Sequence, residues 1–290
     1  MRHALLSTAL LTTTLVSVSA ADFTARGTYT WTENLTRASG PADYRDAASY
    51  GAELTFGTVR SLESGFLLRP QLYASYTTTP EYDLLNSGEL GSRLVVQRKF
   101  GLGPTAPVVA VDATVGGRLG RLDGADALVT QAGVTLSKRF SPYAAVDLRG
   151  EIGRDWAREE VYEVTNRDLI ATIALDPHPR LRFTTGAGRR WGTFLATASA
   201  ARFAGALAGG LGPRVANYYA GSPQAADGIF GPGWISYRVR GEADFFFFDL
   251  SPVISDQTSV SIRYERVKSV NIVDVDYYQD IFRVALMHAF

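Results

Sequence analysis

Apolar and polar side chains alternate with a period of two over most of the chain beyond residue 21. Val146, Leu148, Gly150 and Ile152 fall on one face of an extended segment, and Asp147, Arg149, Glu151 and Asp155 fall on the other. A helix would scatter these groups around its axis, whereas a strand sorts them onto two faces. The same sorting sets Val109, Val111, Ala113 and Val115 against Asp112, Thr114, Gly116 and Arg118. It also sets Ile235, Tyr237, Val239 and Phe245 against Ser236, Arg238, Arg240, Glu242 and Asp244. The pattern predicts twelve strands, at residues 22–32, 49–57, 65–77, 88–100, 107–119, 125–139, 143–155, 166–176, 179–191, 234–247, 257–268 and 278–290. Most exceed the roughly 5 or 6 residues of a soluble strand. They match the roughly 9 to 11 that a tilted strand needs to cross a bilayer.

The connections alternate between short and long. Ser141-Pro142 and Asp176-Pro177-His178-Pro179 are tight turns and residues 101–106 are short, whereas 33–48, 78–87, 157–165 and 192–233 are long. Only 120–124 is short where a long loop is due. An up-and-down sheet with short turns at one end and long loops at the other is the bacterial outer-membrane plan, and an even strand count leaves both termini at the short-turn end. The expected fold is all-β: a closed antiparallel transmembrane β-barrel of about twelve strands, with ten or fourteen as the neighbouring possibilities and with periplasmic turns and extracellular loops. The loop at 192–233 begins Ala-rich, with Leu195, Phe203, Leu207 and Leu211 spaced for a short helix that Gly210 to Pro213 would stop. It is expected to fold into the mouth or cap it, a further hairpin being the alternative.

Met1-Arg2-His3, an apolar run over 4–16 and Val18-Ser19-Ala20 have the layout of a secretory signal peptide at residues 1–20. The apolar run is too short for a membrane-spanning helix. Residues 21–290 are then read as one barrel domain. Its last segment places Phe282, Val284, Leu286 and Phe290 on one face. This resembles the C-terminal targeting strand of the outer-membrane β-barrel and porin superfamily, which closes on an aromatic residue. The resemblance implies export to the bacterial outer membrane, contact with its lipid, and recognition of the strand ending at Phe290 by the barrel assembly machinery. Small residues opposite the apolar face (Gly116, Gly133, Gly153, Gly186, Gly188) fit an enclosed space. Aromatics toward strand ends, including Trp31, Tyr50, Tyr76, Phe100, Tyr143, Tyr237, Phe245 to Phe248, Tyr277 and Tyr278, fit interfacial girdles.

Composition then narrows the chemistry. Apolar residues make up 46% and charged residues 20%, so the chain is not a disordered one. Lys+Arg and Asp+Glu are 29 each, which argues against a nucleic-acid partner. There is no cysteine, hence no disulfide framework and no thiolate metal site. His178 and His288 are the only histidines beyond the signal segment, and neither adjoins a Ser nucleophile motif. No catalytic, cofactor-binding or metal-ligating residues are expected.

An arginine facing lipid at the midplane costs about 2 to 4 kcal/mol, which assigns the polar face to the lumen. The expected pore-lining residues are Arg69, Arg93, Arg118, Arg149, Arg182, Arg190, Arg238, Arg240, Arg263 and Arg283. With Arg26, Lys99 and Arg139 they make thirteen cations, set against Glu53, Asp112, Asp147, Glu151, Asp155, Glu242, Asp244, Glu265 and Asp280, a net of +4. Arg182, Arg190, Arg238 and Arg240 would form a basic wall near the mouth. Cross-strand pairing is the structural alternative for any single arginine. The reading is a passive diffusion channel for small hydrophilic solutes, leaning to anions such as acidic sugars and similar in architecture to oligogalacturonate channels. A barrel enzyme acting on lipid and a plugged structural or adhesive barrel are the alternatives.

Overall fold

A computed structural model describes residues 21–62, 65–201, 223–271 and 275–290, and the structural statements below concern those residues. The expected signal segment at 1–20 and residues 203–211 of the expected loop helix lie outside them. Twelve long strands form the molecule: β1 (Ala21–Thr32), β2 (Ala47–Thr58), β3 (Phe66–Thr78), β4 (Ser87–Lys99), β5 (Val108–Gly120), β6 (Ala127–Ser141), β7 (Ala144–Ala157), β8 (Val164–His178), β9 (Leu181–Ser199), β10 (Trp234–Ser255), β11 (Thr258–Asn271) and β12 (Asp276–Ala289). Each pairs antiparallel with the next, and β12 pairs back onto β1, so the sheet closes into a barrel. Two-residue strands at Arg60–Ser61 and Gln224–Ala225 are minor additions on β3 and β10.

Closure pairs the backbone polar groups around the ring and leaves no free sheet edge, the condition for strands to cross lipid. Register then fixes the two faces. Phe56 opposes Leu72 and Leu54 opposes Ala74 across β2 and β3, and Leu94 opposes Ala113 across β4 and β5. This apolar set points away from the lumen: Phe56 is 52% exposed, Leu90 68% and Ile152 59%. A soluble sandwich would bury that face between its sheets. Aromatics edge it at both ends. Tyr29 meets Tyr50 at the long-loop end. Phe23 meets Phe290 at the short-turn end, where the Arg98 guanidinium lies over Phe66 and Phe100. Among the described residues no helix is long and apolar enough to cross a membrane.

Most strand boundaries lie within about two residues of the sequence reading, the usual uncertainty of such a reading. The exceptions are β9 and β10. β9 continues through residues 193–199 as a hairpin with 234–240, so the first part of the expected loop is strand instead of helix, and β10 runs past the expected end at 247 to Ser255. Tyr237, Tyr277, Phe245 and Phe247 also leave the expected girdle, because register puts them on the inner face or on the hairpin.

Candidate functional site

Long inner side chains lie along the wall where a neighbouring strand offers a glycine. Tyr73 crosses Gly91 and Gly116, and a Cβ at either would come within 2.7 Å of its hydroxyl end. Its hydroxyl donates to Glu89 Oε1 at 2.5 Å. Phe247 and Phe245 lie over Gly186 and Gly188, each ring 2.5 Å from where a Cβ would stand. The Arg149 guanidinium crosses Gly133 on β6 to reach Asp112 on β5 at 2.6 Å, and it also bonds Glu151 at 2.8 Å. These are the enclosed contacts that the small inner residues foreshadowed.

Of the ten arginines expected to line the lumen, eight stand on the inner face: Arg69, Arg93, Arg118, Arg149, Arg182, Arg190, Arg263 and Arg283. Arg118 pairs with Asp155 at 2.8 Å, Arg190 with Asp168 at 2.6 Å and Arg263 with Glu265 at 2.7 Å. Arg93 donates to Thr114 Oγ1 and Arg283 to Thr30 Oγ1, at 3.2 and 3.3 Å.

The remaining two do not line the lumen as expected. Arg240 shares the outer face of β10 with Glu242 and Asp244, and Asp244 forms a 2.6 Å pair with Arg189 of β9. Arg238 sits on the hairpin and binds Glu160 and Glu163 at 3.4 and 3.2 Å. The basic wall near the mouth does not form. Arg182 stands at the opposite, short-turn end, where it and Arg139 bond Asp176 at 2.7 and 3.0 Å.

The expected +4 fails for the same reason. Glu242, Asp244 and Asp280 face outward, whereas Asp22, Glu89, Asp168, Asp176 and Asp249 face inward. The inner cations are Arg26, Arg69, Arg93, Lys99, Arg118, Arg139, Arg149, Arg182, Arg190, Arg263 and Arg283, eleven in all. The inner acids are those five with Glu53, Asp112, Asp147, Glu151, Asp155 and Glu265, also eleven. The described wall is polar, largely ion-paired and neutral.

The mouth at the long-loop end carries the other unusual feature. Pairing of β8 to β9 stops at Gly192, and pairing of β10 to β11 starts at Gly241, while Gly192 and Gly241 pair with each other. Beyond this glycine pair the hairpin leaves the wall on both sides. One of its faces, with Phe194, Ala196, Ala198, Tyr237 and Val239, packs on Tyr277 from the inner face of β12. The other, with Leu195, Thr197 and Ser236, lines a cavity shared with inner residues Arg118 of β5 and Asp155 of β7. The hairpin therefore lies across the mouth.

The β1–β2 loop joins it there. Thr197 N donates to Thr36 O at 2.8 Å, and both N and Oγ of Ser199 donate to Asp43 Oδ2 at 3.1 Å. Arg37 reaches the inner wall and donates to Gln279 Oε1 at 2.7 Å. Burial and the nearby Arg190 guanidinium both push the Arg37 guanidinium below its ordinary value, to about 10. Burial likewise raises the Tyr162 phenol. Sequence reasoning assigned mouth closure to 192–233 and gave no such role to this loop. A legible signal was its small and turn-forming residues, Asn34, Ala38 and Gly40, which pack here with almost no exposure.

No family model matches the chain, and no curated protein matches it by sequence. Solved structures do resemble it. An outer-membrane channel from Pseudomonas putida F1 aligns over 94% of this chain and 97% of its own, with 10% identity and a TM-score of 0.56. The NanC porin aligns over 92% and 98%, with 8% identity and a TM-score of 0.45, and the KdgM porin over 92% and 99%, with 9% and 0.42. At such identities the likeness is one of fold alone, that of a closed antiparallel β-barrel. Among the described residues no cluster of three His, Asp or Glu side chains suits a metal ion.

Proposed function

We propose that this protein is a porin-like passive diffusion channel of the bacterial outer membrane, carrying small hydrophilic solutes with a lean toward anions such as acidic sugars. The carrying observation is the closed twelve-strand barrel with an apolar outer face and an inner face set with charged side chains. Charges at that density need water in the lumen, since unpaired ions in a dry interior cost several kcal/mol each. In this reading the mature chain follows a cleaved signal at 1–20, contacts outer-membrane lipid, and is assembled through the strand ending at Phe290.

The anion lean does not rest on a net surplus. It rests on one local excess: Arg263 of β11, bonded to Glu265, directly opposes Arg283 of β12, and Arg26 on the inner face of the adjoining β1 opposes Glu53 of β2, three cations to two carboxylates. Like charges directly opposed are destabilising, so a solute carboxylate between them relieves repulsion. Planar-bilayer recording in a salt gradient tests the reading. The expected reversal potential is anion-selective and moves toward zero in Arg26→Gln/Arg283→Gln. Cation selectivity unchanged by that substitution overturns the lean. Absence of conductance overturns the channel and favours a plugged barrel.

A further inference from the structure

At the mouth, apolar side chains from separate segments converge where water-exposed loop tips are ordinarily polar. Leu35 comes from the β1–β2 loop, Leu84 from β3–β4, Leu122 from β5–β6, Leu195 from the hairpin, and Ile229 and Phe230 from the helical turn Asp227–Phe230. They enclose a cavity of about 340 Å³. An apolar cavity of roughly 150 Å³ holds benzene, so this one accommodates a single ring with a substituent. The cavity also has polar edges, the Arg118–Asp155 pair on one side and the Thr197 and Ser236 hydroxyls on another. A few convergent polar groups in a mainly apolar pocket are the ordinary make-up of a small-molecule site.

We infer that this cavity is a binding site for amphipathic solutes with a compact apolar body, about one ring in size, and a single polar head directed at the Arg118–Asp155 pair. The inference rests on the channel reading and adds to it a solute class distinct from the sugars. The apolar body displaces water from Leu84, Leu122 and Ile229. The head retains hydrogen-bonding partners from the inner face of β5 and β7, which lie on the way into the lumen. A small sugar has no apolar body to place there, and a long acyl chain exceeds the space.

Calorimetric titration of the full barrel in detergent tests this, with benzoate as probe and acetate as the same head without the body. Benzoate is expected to bind saturably and acetate not to. Leu84→Asn/Leu122→Asn is expected to weaken benzoate at least tenfold. Ile229→Phe, which fills the same space without adding a polar group, is expected to do likewise. Both variants should keep their heat-modifiable migration on detergent gels. Benzoate and acetate behaving alike, no saturation by either, or wild-type benzoate affinity in both variants each overturns the site. Conductance measured on the same preparations separates the two readings: a conducting barrel without benzoate binding defeats only the site, and a non-conducting barrel that binds benzoate defeats only the channel.

Discussion

Alanine at Gly192 and Gly241 tests whether this glycine pair releases the hairpin from the wall. Gly192 has φ of 153°, and a Cβ there would stand 1.9 Å from Thr165 O of β8; a Cβ at Gly241 would stand 2.2 Å from Val270 O of β11. Both neighbours are backbone, so a side-chain rotation cannot relieve the overlap. Overpacking costs about 1–3 kcal/mol per site, and an unfavourable φ adds roughly 1–3 at Gly192. The double variant therefore loses about 3–9 kcal/mol. Opposing it is hairpin docking, which buries Phe194, Tyr237 and Val239 at about 1.5–3 kcal/mol each. The two sums are of similar size. One substitution should loosen the hairpin, and two together should undock it while the wall below stays closed. Limited trypsin digestion reads this out at Arg238, which is 7% exposed in the docked hairpin. Cleavage after Arg238 should be slow in the wild-type protein, faster in either single variant and fastest in the double one, with heat-modifiable migration retained. Wild-type digestion of the double variant refutes the reasoning. Loss of the folded barrel also refutes it, because the glycines would then be required by the wall itself.

Three further outcomes follow from named contacts. Arg149→Met strands the Asp112 and Glu151 carboxylates, which have 13% and 10% side-chain exposure. Below the roughly 3–5 kcal/mol of a fully buried broken pair, a loss of about 1–3 is expected in urea unfolding from lipid vesicles, and an unchanged midpoint contradicts it. Leu94→Arg places a cation on the outer face opposite Ala113, where lipid exposure costs about 2–4 kcal/mol; equal stability in the same assay argues that this face is not lipid-covered. Asp43→Ala removes both bonds from Ser199, each charge-assisted bond being worth about 1.5–3 kcal/mol, and should speed tryptic cleavage after Arg37 and Arg45, whereas unaltered rates show that the loop is held by its other contacts.

The barrel was legible because period two survives in nearly every strand, and a one-residue error would exchange the two faces. β10 shows where that logic fails. Phe245, Phe246, Phe247 and Phe248 are apolar at consecutive positions, so alternation there names no face. Above them the outer positions turn charged, with Arg240, Glu242 and Asp244, and the sequence reading took them for lumen. Asp244 instead pairs outside with Arg189. Asp176 and Asp249 were missed because one was read into a turn and the other into a connection, whereas the strands run on to His178 and Ser255. The Ala-rich stretch after Gly192 reads locally as helix. Its small residues are used instead to seat a strand against Tyr277. That is a tertiary constraint absent from local propensity.

The inner glycines show how a charged wall can leave space along the barrel axis. An arginine projecting from a strand ordinarily extends toward the barrel axis. Here a glycine on the adjacent strand lets the side chain lie flat, and the flat position brings it to a partner one strand further on, as Arg149 passes Gly133 to reach Asp112. Tyr73 lies flat over Gly91 of β4 and Gly116 of β5, where its hydroxyl donates to Glu89 of the adjacent β4, and Phe245 and Phe247 fold onto Gly188 and Gly186. Each seat removes bulk from the axis. Where the seated group is charged, its hydrogen bond also stabilises the flat conformation and cancels local charge. In the proposed channel, selectivity then falls to the stripe of Arg26, Arg263 and Arg283, where three cations face Glu53 and Glu265, and to the apolar mouth above them. Neutrality of the wall as a whole and discrimination among solutes are compatible, because the first comes from seated pairs and the second from what is left unseated.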